Sequence, residues 1–290
     1  MKTLILHKKE QAERLARKKK LGQFLTPAPI ARFMARWILQ SKECHNILDP
    51  ATGEGIFVKS TLEISKNVSV DAFDIDEHIL AVCEDSIKGL PGRANVNLHC
   101  RDYMAGDWER KYDGVICNPP YMRFQDYDNK DRIIKTVKDN LRIHLSGLTN
   151  LYTLFLLKSL SELREGGRMA YIVPSEFLNA NYGEHVKEYL LREKSLKYVI
   201  LFDFPSNPFD DAITTSCILL FDRGARHASI DFVTIHAIDE LDAVSTKIDK
   251  GGSCRNHTKV PFSQIEPGLK WRAYYQQMNS HKYHNLIPLP

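Results

Sequence analysis

The apolar residues of this chain form two kinds of segment: short continuous runs, and longer segments with the spacing of an α-helix. The two kinds alternate along the chain. Seven short apolar runs have the length and composition of buried strands, at residues 46–49, 69–75, 96–100, 114–117, 169–173, 198–202 and 217–221. Segments with helical spacing lie between them, near residues 55–65, 76–88, 150–164 and 181–193. This alternation predicts an α/β fold that is built on a largely parallel sheet.

The helical spacing is clearest just before the first predicted strand. The dipeptide Thr26-Pro27 can start a helix there, because proline is tolerated in the first helical turn. The apolar positions that follow recur at intervals of three and four residues: Ile30, Phe33, Met34, Trp37 and Ile38. The segment 150–164 has a similar apolar face, formed by Tyr152, Phe155, Leu156, Leu160 and Leu163. Both helices are therefore expected to bury one face.

Two stretches interrupt the alternation. Residues 122–147 form a long polar segment of mixed charge, which is typical of a lid or a substrate loop. After about residue 225 the pattern weakens, with a glycine loop near residues 250–253 and prolines in the last residues. We expect the main fold to end near residue 225.

The composition narrows the class of protein. The 290 residues, 43% hydrophobic and 26% charged, are typical of a soluble globular protein. No apolar stretch approaches the roughly 18 residues that a membrane span requires, and the N-terminus lacks the apolar centre of a signal peptide. The six cysteines show no CxxC spacing, so we expect reduced core cysteines in a cytoplasmic protein without a metal site.

Positive charge is concentrated at the N-terminus. The whole chain has a formal net charge of +4, whereas residues 1–20 alone contain eight basic and two acidic side chains. A basic helix or arm of this kind can contact phosphate groups. A solvated helix or a frayed terminus can have the same composition, so both interpretations stay open.

The tetrapeptide Asn118-Pro119-Pro120-Tyr121 is the most informative motif. It follows an apolar run that reads as a buried strand, and two prolines there end the strand and stiffen the backbone. The stiff backbone thereby holds three groups at constant positions relative to one another: an amide side chain, a backbone carbonyl and an aromatic face. This set of groups can hold a planar molecule that carries an exocyclic amino group.

Three further strand ends carry polar or glycine residues. The first predicted strand leads into Asp49-Pro50-Ala51-Thr52-Gly53-Glu54-Gly55, whose glycines let the backbone approach a ligand. The second ends at Asp74, at the distance from the glycine turn at which an acidic residue can bind ribose hydroxyls. Asp102, after the third, can accept a hydrogen bond from an adenine amino group. Alone, the glycine segment has the alternative of a tight turn, and Asp102 that of an ordinary turn aspartate. Asp74 is preferred to its neighbour Asp76, which can instead cap the helix that follows.

These strand ends occur in the order in which a doubly wound sheet places them side by side. Ligands of such sheets bind at the carboxyl ends of the strands. The glycine turn, the two aspartates and the asparagine motif together therefore indicate one ligand site, and this combination is much more specific than any of its parts.

With these motifs, residues 20–222 resemble the gamma-class N6-adenine DNA methyltransferases, which are S-adenosylmethionine-dependent amino-methyltransferases of restriction–modification systems. The resemblance rests on the motifs above and on four more segments, at residues 22–27, 150–155, 166–175 and 207–219. It implies a class I methyltransferase fold, Rossmann-like, with a mixed and mostly parallel sheet of seven strands. It also implies a basic arm at residues 1–20, a catalytic domain at 21–225, and an extension or incomplete target-recognition region at 226–290.

The resemblance also implies roles for particular residues. Thr26 and Pro27 close over the methionine end of the cofactor. The remaining cofactor contacts come from Asp49, Ala51, Gly53, Gly55, Asp74, Asp102 and Phe155. Tyr121 and Phe209 stack on the two faces of a flipped target base, although Phe202, Phe204 and Phe221 are alternatives to Phe209. The oxygen of Asn118 and the carbonyl of Pro119 accept the two N–H bonds of the target amine.

The expected partner is double-stranded DNA, and a cognate endonuclease or a specificity subunit or domain is a further possibility.

Other substrates also accept a methyl group on an amino or amide nitrogen, which must be held in the same geometry. Glutamine methyltransferases of translation release factors share Asn-Pro-Pro-Tyr but usually carry a helical domain before the glycine turn, where this chain has only about 48 residues. Methylation of RNA or of N4 of cytosine stays open, and so does a non-catalytic subunit that only binds nucleic acid. Such subunits tend to lose the asparagine motif or the glycine turn, and both are complete here.

Overall fold

The computed structural model describes most of the chain between residues 25 and 275. The described residues are 25–41, 43–109, 111–122, 127, 130–143, 150–180, 183–203, 216–224, 227–250 and 256–275. The basic segment 1–20, Phe209 and residues 251–253 of the predicted glycine loop lie outside them. No helix in these ranges is both long and apolar enough to cross a bilayer.

Nine strands alternate with helices along the described chain. The strands are β1 (Asn46–Asp49), β2 (Ser69–Asp74), β3 (Val96–Cys100), β4 (Tyr112–Cys117), β5 (Leu163–Pro174), β6 (Leu196–Phe202), β7 (Ser216–Asp222), β8 (Ser229–Ile235) and β9 (His257–Pro261). The helices are α1 (Ala28–Leu39), α2 (Ile56–Ile64), α3 (Glu77–Ile87), α4 (Lys130–Leu141), α5 (Leu151–Glu162), α6 (Glu184–Glu193) and α7 (Glu240–Lys250). Every strand and helix expected from the apolar periodicity up to residue 225 is present, with ends that differ by a few residues.

All nine strands belong to one sheet, in the order β3-β2-β1-β4-β5-β7-β6-β8-β9. The strands from β3 to β5 pair in parallel. β7 inserts antiparallel between β5 and β6, β8 is parallel to β6, and β9 is antiparallel to β8. The predicted mixed, mostly parallel sheet is thus confirmed, whereas the predicted count of seven strands is too low.

Successive side chains of each strand point to opposite faces of the sheet, so the sheet has a core on each side. On one side, helices α4, α5 and α6 cover Leu48, Val115 and Cys117. On the other side, helices α1, α2 and α7 cover Ile47 and Ile116. Burial on both faces explains why the strands read as continuous apolar runs.

Helix α1 is held firmly on the sheet by the apolar face that its sequence predicts. Ile30, Met34 and Ile38 are completely buried, and Trp37 is almost so. The Trp37 indole Nε1 donates to the backbone carbonyls of Met169 in β5, at 3.1 Å, and of Phe221 in β7, at 3.3 Å. Trp37 therefore holds the Leu39 end of the helix on the sheet, while the buried Ile30 and Ala31 pack the Ala28 end onto the core.

Two polar stretches contain more regular structure than their patterns indicate. The expected loop at 122–147 includes helix α4, which buries Ile133, Val137 and Leu141. After residue 225, β8 and β9 continue the same sheet and α7 packs on it, although the main fold was expected to end near that residue. In α4 the three buried residues recur at intervals of four positions, and β8 contains four apolar residues among seven, so both regions carry a local apolar pattern within polar surroundings.

The described residues beyond β9 pack back onto the turn that follows β5. Trp271 is completely buried and donates its backbone N–H to the Leu178 carbonyl at 3.0 Å. The buried Lys187 ammonium of α6 donates to the Leu269 carbonyl at 2.8 Å. These contacts join the C-terminal part of the described chain to the same edge of the sheet at which β5 ends.

A buried chain of polar groups lies between α5 and the turn after β3. Lys158 and Glu162 are each only 1% exposed and form an ion pair. The Tyr103 hydroxyl donates to Glu162 at 2.7 Å and contacts the Ser159 hydroxyl at 3.1 Å, which in turn contacts the Tyr171 hydroxyl at 2.7 Å. Burial lowers the pKa of Lys158 and raises that of Glu162, and their mutual attraction opposes both shifts.

The buried pair yields a stability prediction. Lys158→Met leaves the Glu162 carboxylate buried without its cation, so the free energy of unfolding should fall by about 3–5 kcal/mol. The double variant Lys158→Met/Glu162→Gln removes both charges and keeps an acceptor for Tyr103, so it should recover much of that loss. Urea unfolding followed by circular dichroism measures both values. Equal stability of the single and double variants would contradict a charge-based cause.

Candidate active site

The carboxyl ends of β1, β2, β3 and β4 meet at one edge of the sheet and surround a cavity of about 370 Å³. A cavity of this size is within the range that binds small molecules. Eight residues that the sequence predicts for the site line it: Thr26, Ala51, Gly53, Asp74, Asp102, Asn118, Pro120 and Phe155. The parallel strands therefore bring together most of the predicted groups.

Six predicted residues do not line this cavity in the described part of the chain. Pro27, Asp49, Gly55, Pro119 and Tyr121 lie next to residues that do. The sixth, Phe209, lies outside the described residues, and its predicted role as a stacking residue stays a prediction.

The glycine turn after β1 adopts a backbone that other residues rarely reach. Gly53 has φ +54° and Gly55 has φ +86°. A Cβ atom on Gly55 would lie 2.5 Å from the Cys83 sulfur of α3, which is closer than any ordinary contact. Gly55 thus lets α2 and α3 approach each other behind the cavity wall, and its function is in packing as well as in the turn.

Asp74 is held by the turn that it faces. Its Oδ2 accepts from the Gly53 N–H at 3.1 Å, and its Oδ1 accepts from the Asp76 N–H at 2.9 Å. Burial raises the pKa of the Asp74 carboxyl, while these backbone bonds oppose the rise. Asp76 instead caps α3 by accepting from the His78 N–H at 3.0 Å. The alternative interpretation of Asp76 as a cap is therefore confirmed.

Asp102 opens the short helical turn Tyr103–Ala105, where its Oδ1 accepts from the Met104 N–H at 2.9 Å. The neighbouring Tyr103 ring lies 5.4 Å from the Phe155 ring of α5, centroid to centroid. Since both aromatic residues line the cavity, this wall is largely apolar with one carboxylate at its edge. The buried Lys158–Glu162 network holds Tyr103 from behind.

Asn118 lies at the other wall. Its amide Nδ2 donates to the Thr26 hydroxyl at 3.0 Å, across a sequence separation of 92 residues. Pro119 is buried behind it and Pro120 lines the cavity. Tyr121 donates its hydroxyl to the Ile172 carbonyl at 3.3 Å, so one end of the side chain is anchored on β5.

Asp49 lies beneath the glycine turn rather than in the cavity wall. It is completely buried, and neither carboxyl oxygen has a partner within hydrogen-bond geometry. Burial raises its pKa to about 7, against a smaller opposing effect of the nearby Thr52 hydroxyl and Ala51 amide, which lie just outside that geometry. A carboxyl group with such a pKa is partly protonated near neutral pH.

Several cavity residues are not among the site residues that the sequence predicts. Leu25 and Ile75 are large apolar side chains that are 62% and 57% exposed, and both line the cavity. Met122 and Tyr127 line it from the segment that follows the asparagine motif. An exposed isoleucine between two aspartates is a weak signal in a sequence, because scattered exposed apolar residues are common.

The chain as a whole is similar to several known proteins. The model of the Eco57I restriction-modification methylase family matches residues 66–209. The type II methyltransferase M.AccI of Acinetobacter calcoaceticus is 45% identical over 275 residues, which are 94% of this chain and 50% of that protein. The chain thus spans about half the length of the relatives that it matches.

Solved structures show the same fold at low sequence identity. The methyltransferase subunit of a type I restriction-modification system from Streptococcus thermophilus superposes with a TM-score of 0.75 and 18% identity, over 88% of this chain and 60% of that one. A putative class I S-adenosylmethionine-dependent methyltransferase from Listeria monocytogenes gives a TM-score of 0.62 and 17% identity, over 83% and 76%. The expected class I methyltransferase fold is confirmed.

The packing role of Gly55 can be measured. Gly55→Ala combines a left-handed backbone with a Cβ that meets Cys83, so the free energy of unfolding should fall by about 2–5 kcal/mol. Gly89→Ala is a matched control, because Gly89 also has a positive φ, of +80°, but an added Cβ there meets nothing within 4 Å. It should lose only about 1–2 kcal/mol. Equal losses in urea unfolding would exclude the contact as the cause.

The buried Asp49 carboxyl predicts a pH dependence of stability. The pKa of this carboxyl is raised from 3.8 to about 7 on folding. Between pH 4 and pH 7 the folded state therefore binds more protons than the unfolded state. The free energy of unfolding should therefore fall as pH rises from 4 to 7, by at most about 1.4 kcal/mol per pH unit from this group. Asp49→Asn should flatten this decline, whereas Asp85→Asn on the exposed face of α3 controls for the loss of a charge. An unchanged slope in Asp49→Asn would contradict the assignment.

Proposed function

The chain belongs to the Eco57I restriction-modification methylase family, and on that premise we propose that it forms the catalytic region of a site-specific DNA methyltransferase. The proposed reaction transfers a methyl group from S-adenosylmethionine to N6 of an adenine that has left the duplex. One observation carries this proposal: Asn118, which follows β4, lies in the wall of the same cavity as Asp74 and Asp102.

The residues present fit the proposed cofactor. Asp74 is an acceptor for ribose hydroxyls, and Asp102 is an acceptor for an adenine amino group at the edge of an apolar wall. Ile75 and Phe155 offer apolar surface for a purine ring, and the glycine turn allows close backbone approach. When it is bound there, S-adenosylmethionine supplies an electrophilic methyl group on a sulfonium.

The amino group of adenine is a poor nucleophile, because its lone pair is delocalised into the ring. We assign to the Asn118 side-chain oxygen and the Pro119 carbonyl the role of accepting its two N–H bonds. The two hydrogen bonds draw the nitrogen toward tetrahedral geometry and localise its lone pair for in-line attack on the methyl carbon. Catalysis then comes chiefly from positioning and from acceptors that are already oriented. Pro119 and Pro120 support this role, since they stiffen the backbone next to Asn118.

A base can enter such a cavity only after it leaves the duplex, at a cost of a few kcal/mol. Aromatic stacking offsets this cost by about 1–3 kcal/mol per base. We propose Tyr121 and Phe209 as the stacking residues. Support for Tyr121 comes from its place directly after the two prolines, and its anchored hydroxyl limits the movement of the ring.

The partners follow from the reaction. We propose double-stranded DNA as the substrate and the cytoplasm as the compartment. A cognate endonuclease, or a specificity subunit or domain, is the proposed associate. The basic segment 1–20 is a proposed contact to DNA phosphates. The division into this arm, a catalytic domain at 21–225 and an extension at 226–290 also stays a proposal.

The proposal makes a direct prediction about Asn118. Asn118→Ala should abolish methyl transfer while the affinity for S-adenosylmethionine stays nearly unchanged, because the amide acts on the acceptor rather than on the donor. Tritiated-methyl transfer to mixed plasmid DNA measures the first quantity, and isothermal titration measures the second. Asn140→Ala, on the exposed face of α4, is a control that should keep full activity.

The same assay separates the alternatives if RNA, translation release factor and duplex DNA are compared. Transfer to RNA or to the release factor, with none to DNA, would overturn the proposed substrate. Full activity of Asn118→Ala on DNA would overturn the proposed mechanism. Sequencing of the modified sites then identifies the methylated base and its context.

A further inference from the structure

We propose that Thr26 is a positioning residue for the Asn118 amide: its hydroxyl holds Nδ2 and thereby directs Oδ1 toward the amine that is methylated. This inference rests on the proposed function and adds a role to Thr26 beyond closing over the cofactor. It starts from the 3.0 Å bond in which Asn118 Nδ2 donates to Thr26 Oγ1. The two side chains lie 92 residues apart in the sequence.

The Thr26 side of this bond is rigid. Thr26 is only 7% exposed and directly precedes Pro27, which has φ −58° and caps α1. Helix α1 buries seven of its twelve residues and is bonded to the sheet through Trp37. The Thr26 backbone consequently cannot move with Asn118 without displacing a helix that is packed on the core.

The Asn118 side has a rigid backbone but a rotatable side chain. Cys117 before it is completely buried in β4, and two prolines follow it. The backbone alone leaves two orientations of the amide, which differ by exchanging oxygen and nitrogen. In one orientation Oδ1 faces the substrate amine and can accept a hydrogen bond from it. In the other orientation Nδ2 faces the amine, and no hydrogen bond forms because both groups are donors.

The bond to Thr26 selects between these orientations when the hydroxyl proton is given to another acceptor, because a threonine hydroxyl can otherwise accept from Nδ2 or donate to Oδ1. When Nδ2 points to Thr26, Oδ1 lies on the opposite side of the amide group. The hydroxyl accepts in this arrangement, so its own proton can be given to an acceptor elsewhere in the cavity that Thr26 lines. If an acceptor on the cofactor takes this proton, the hydroxyl offers Asn118 only its lone pairs. These lone pairs can accept from Nδ2 but cannot bond Oδ1, so the orientation with Oδ1 toward Thr26 is excluded.

The test compares two substitutions at one position. Thr26→Val keeps the shape and removes the hydroxyl, and the rate of a single turnover with saturating cofactor and DNA should fall about 10- to 100-fold. Thr26→Ser restores the hydroxyl and should recover most of the lost rate. Thr61→Val is a matched control in α2, because Thr61 is fully buried, is outside the cavity lining and makes no hydrogen bond through its hydroxyl. It should leave the rate unchanged.

Two measurements distinguish positioning from a simple loss of cofactor binding. Isothermal titration of Thr26→Val with S-adenosylmethionine should show a smaller change in affinity than the change in the saturated rate. A large loss of affinity with an unchanged saturated rate would overturn the proposal, because Thr26 would then act on the cofactor alone.

The second measurement does not depend on methyl transfer. The side-chain NH₂ signals of Asn118 are identified in a spectrum of ¹⁵N-asparagine-labelled protein by their loss in Asn118→Ala. They should shift in Thr26→Val and return near their original positions in Thr26→Ser. Signals that do not move in Thr26→Val would overturn the positioning role. If the unmodified protein methylates no adenine in DNA, the proposed function fails, and these signals still decide whether Thr26 orients the amide.

Discussion

The parallel pairing of β3, β2, β1 and β4 is the constraint on which the candidate site depends. In the registers of these strands, Asp49 lies opposite Ala72 and Asp74 opposite Cys100, while Leu48 lies opposite Val115. Because the strands run in the same direction, their carboxyl ends must meet at one edge. Groups that are up to about 70 positions apart in sequence therefore line a single cavity, and a change in the order or direction of these strands would separate them.

The rest of the architecture limits movement around this edge. Helix α1 is bonded through Trp37 to β5 and β7, and it presents Thr26 to Asn118. On the opposite face of the sheet, the buried Lys158–Glu162 pair and the Tyr103 hydroxyl support the wall that contains Phe155. Buried ionic groups are costly unless each is paired, so this network specifies one arrangement of the wall. Such restraint suits a reaction that depends on positioning.

The sheet continues well past the part that the apolar pattern predicts. β8 and β9 add to the edge beyond β6, and Trp271 then returns the chain to the turn after β5. Helix α4 similarly covers the core next to α5 within a segment that is mostly polar. In α4 the buried positions Ile133, Val137 and Leu141 recur at intervals of four residues, as one helical face requires. In β8 the apolar residues Ile230, Phe232 and Val233 are almost completely buried. An apolar pattern is therefore present in both regions, although most of the residues around it are polar.

The sequence by itself determined the class of fold, seven of the nine strands and eight of the residues that line the cavity, because these depend on local periodicity and on short motifs at strand ends. Asp74, Asp102 and Asn118 could be assigned to one edge, since parallel strands place their carboxyl ends together. Only the tertiary structure decided that Asp49 lies beneath the turn rather than in the wall, and that Gly55 is required by the Cys83 sulfur. It also decided that Thr26 meets Asn118. Each of these facts depends on the distance between side chains of segments that are remote in sequence, and such distances are set by how the helices pack on the sheet.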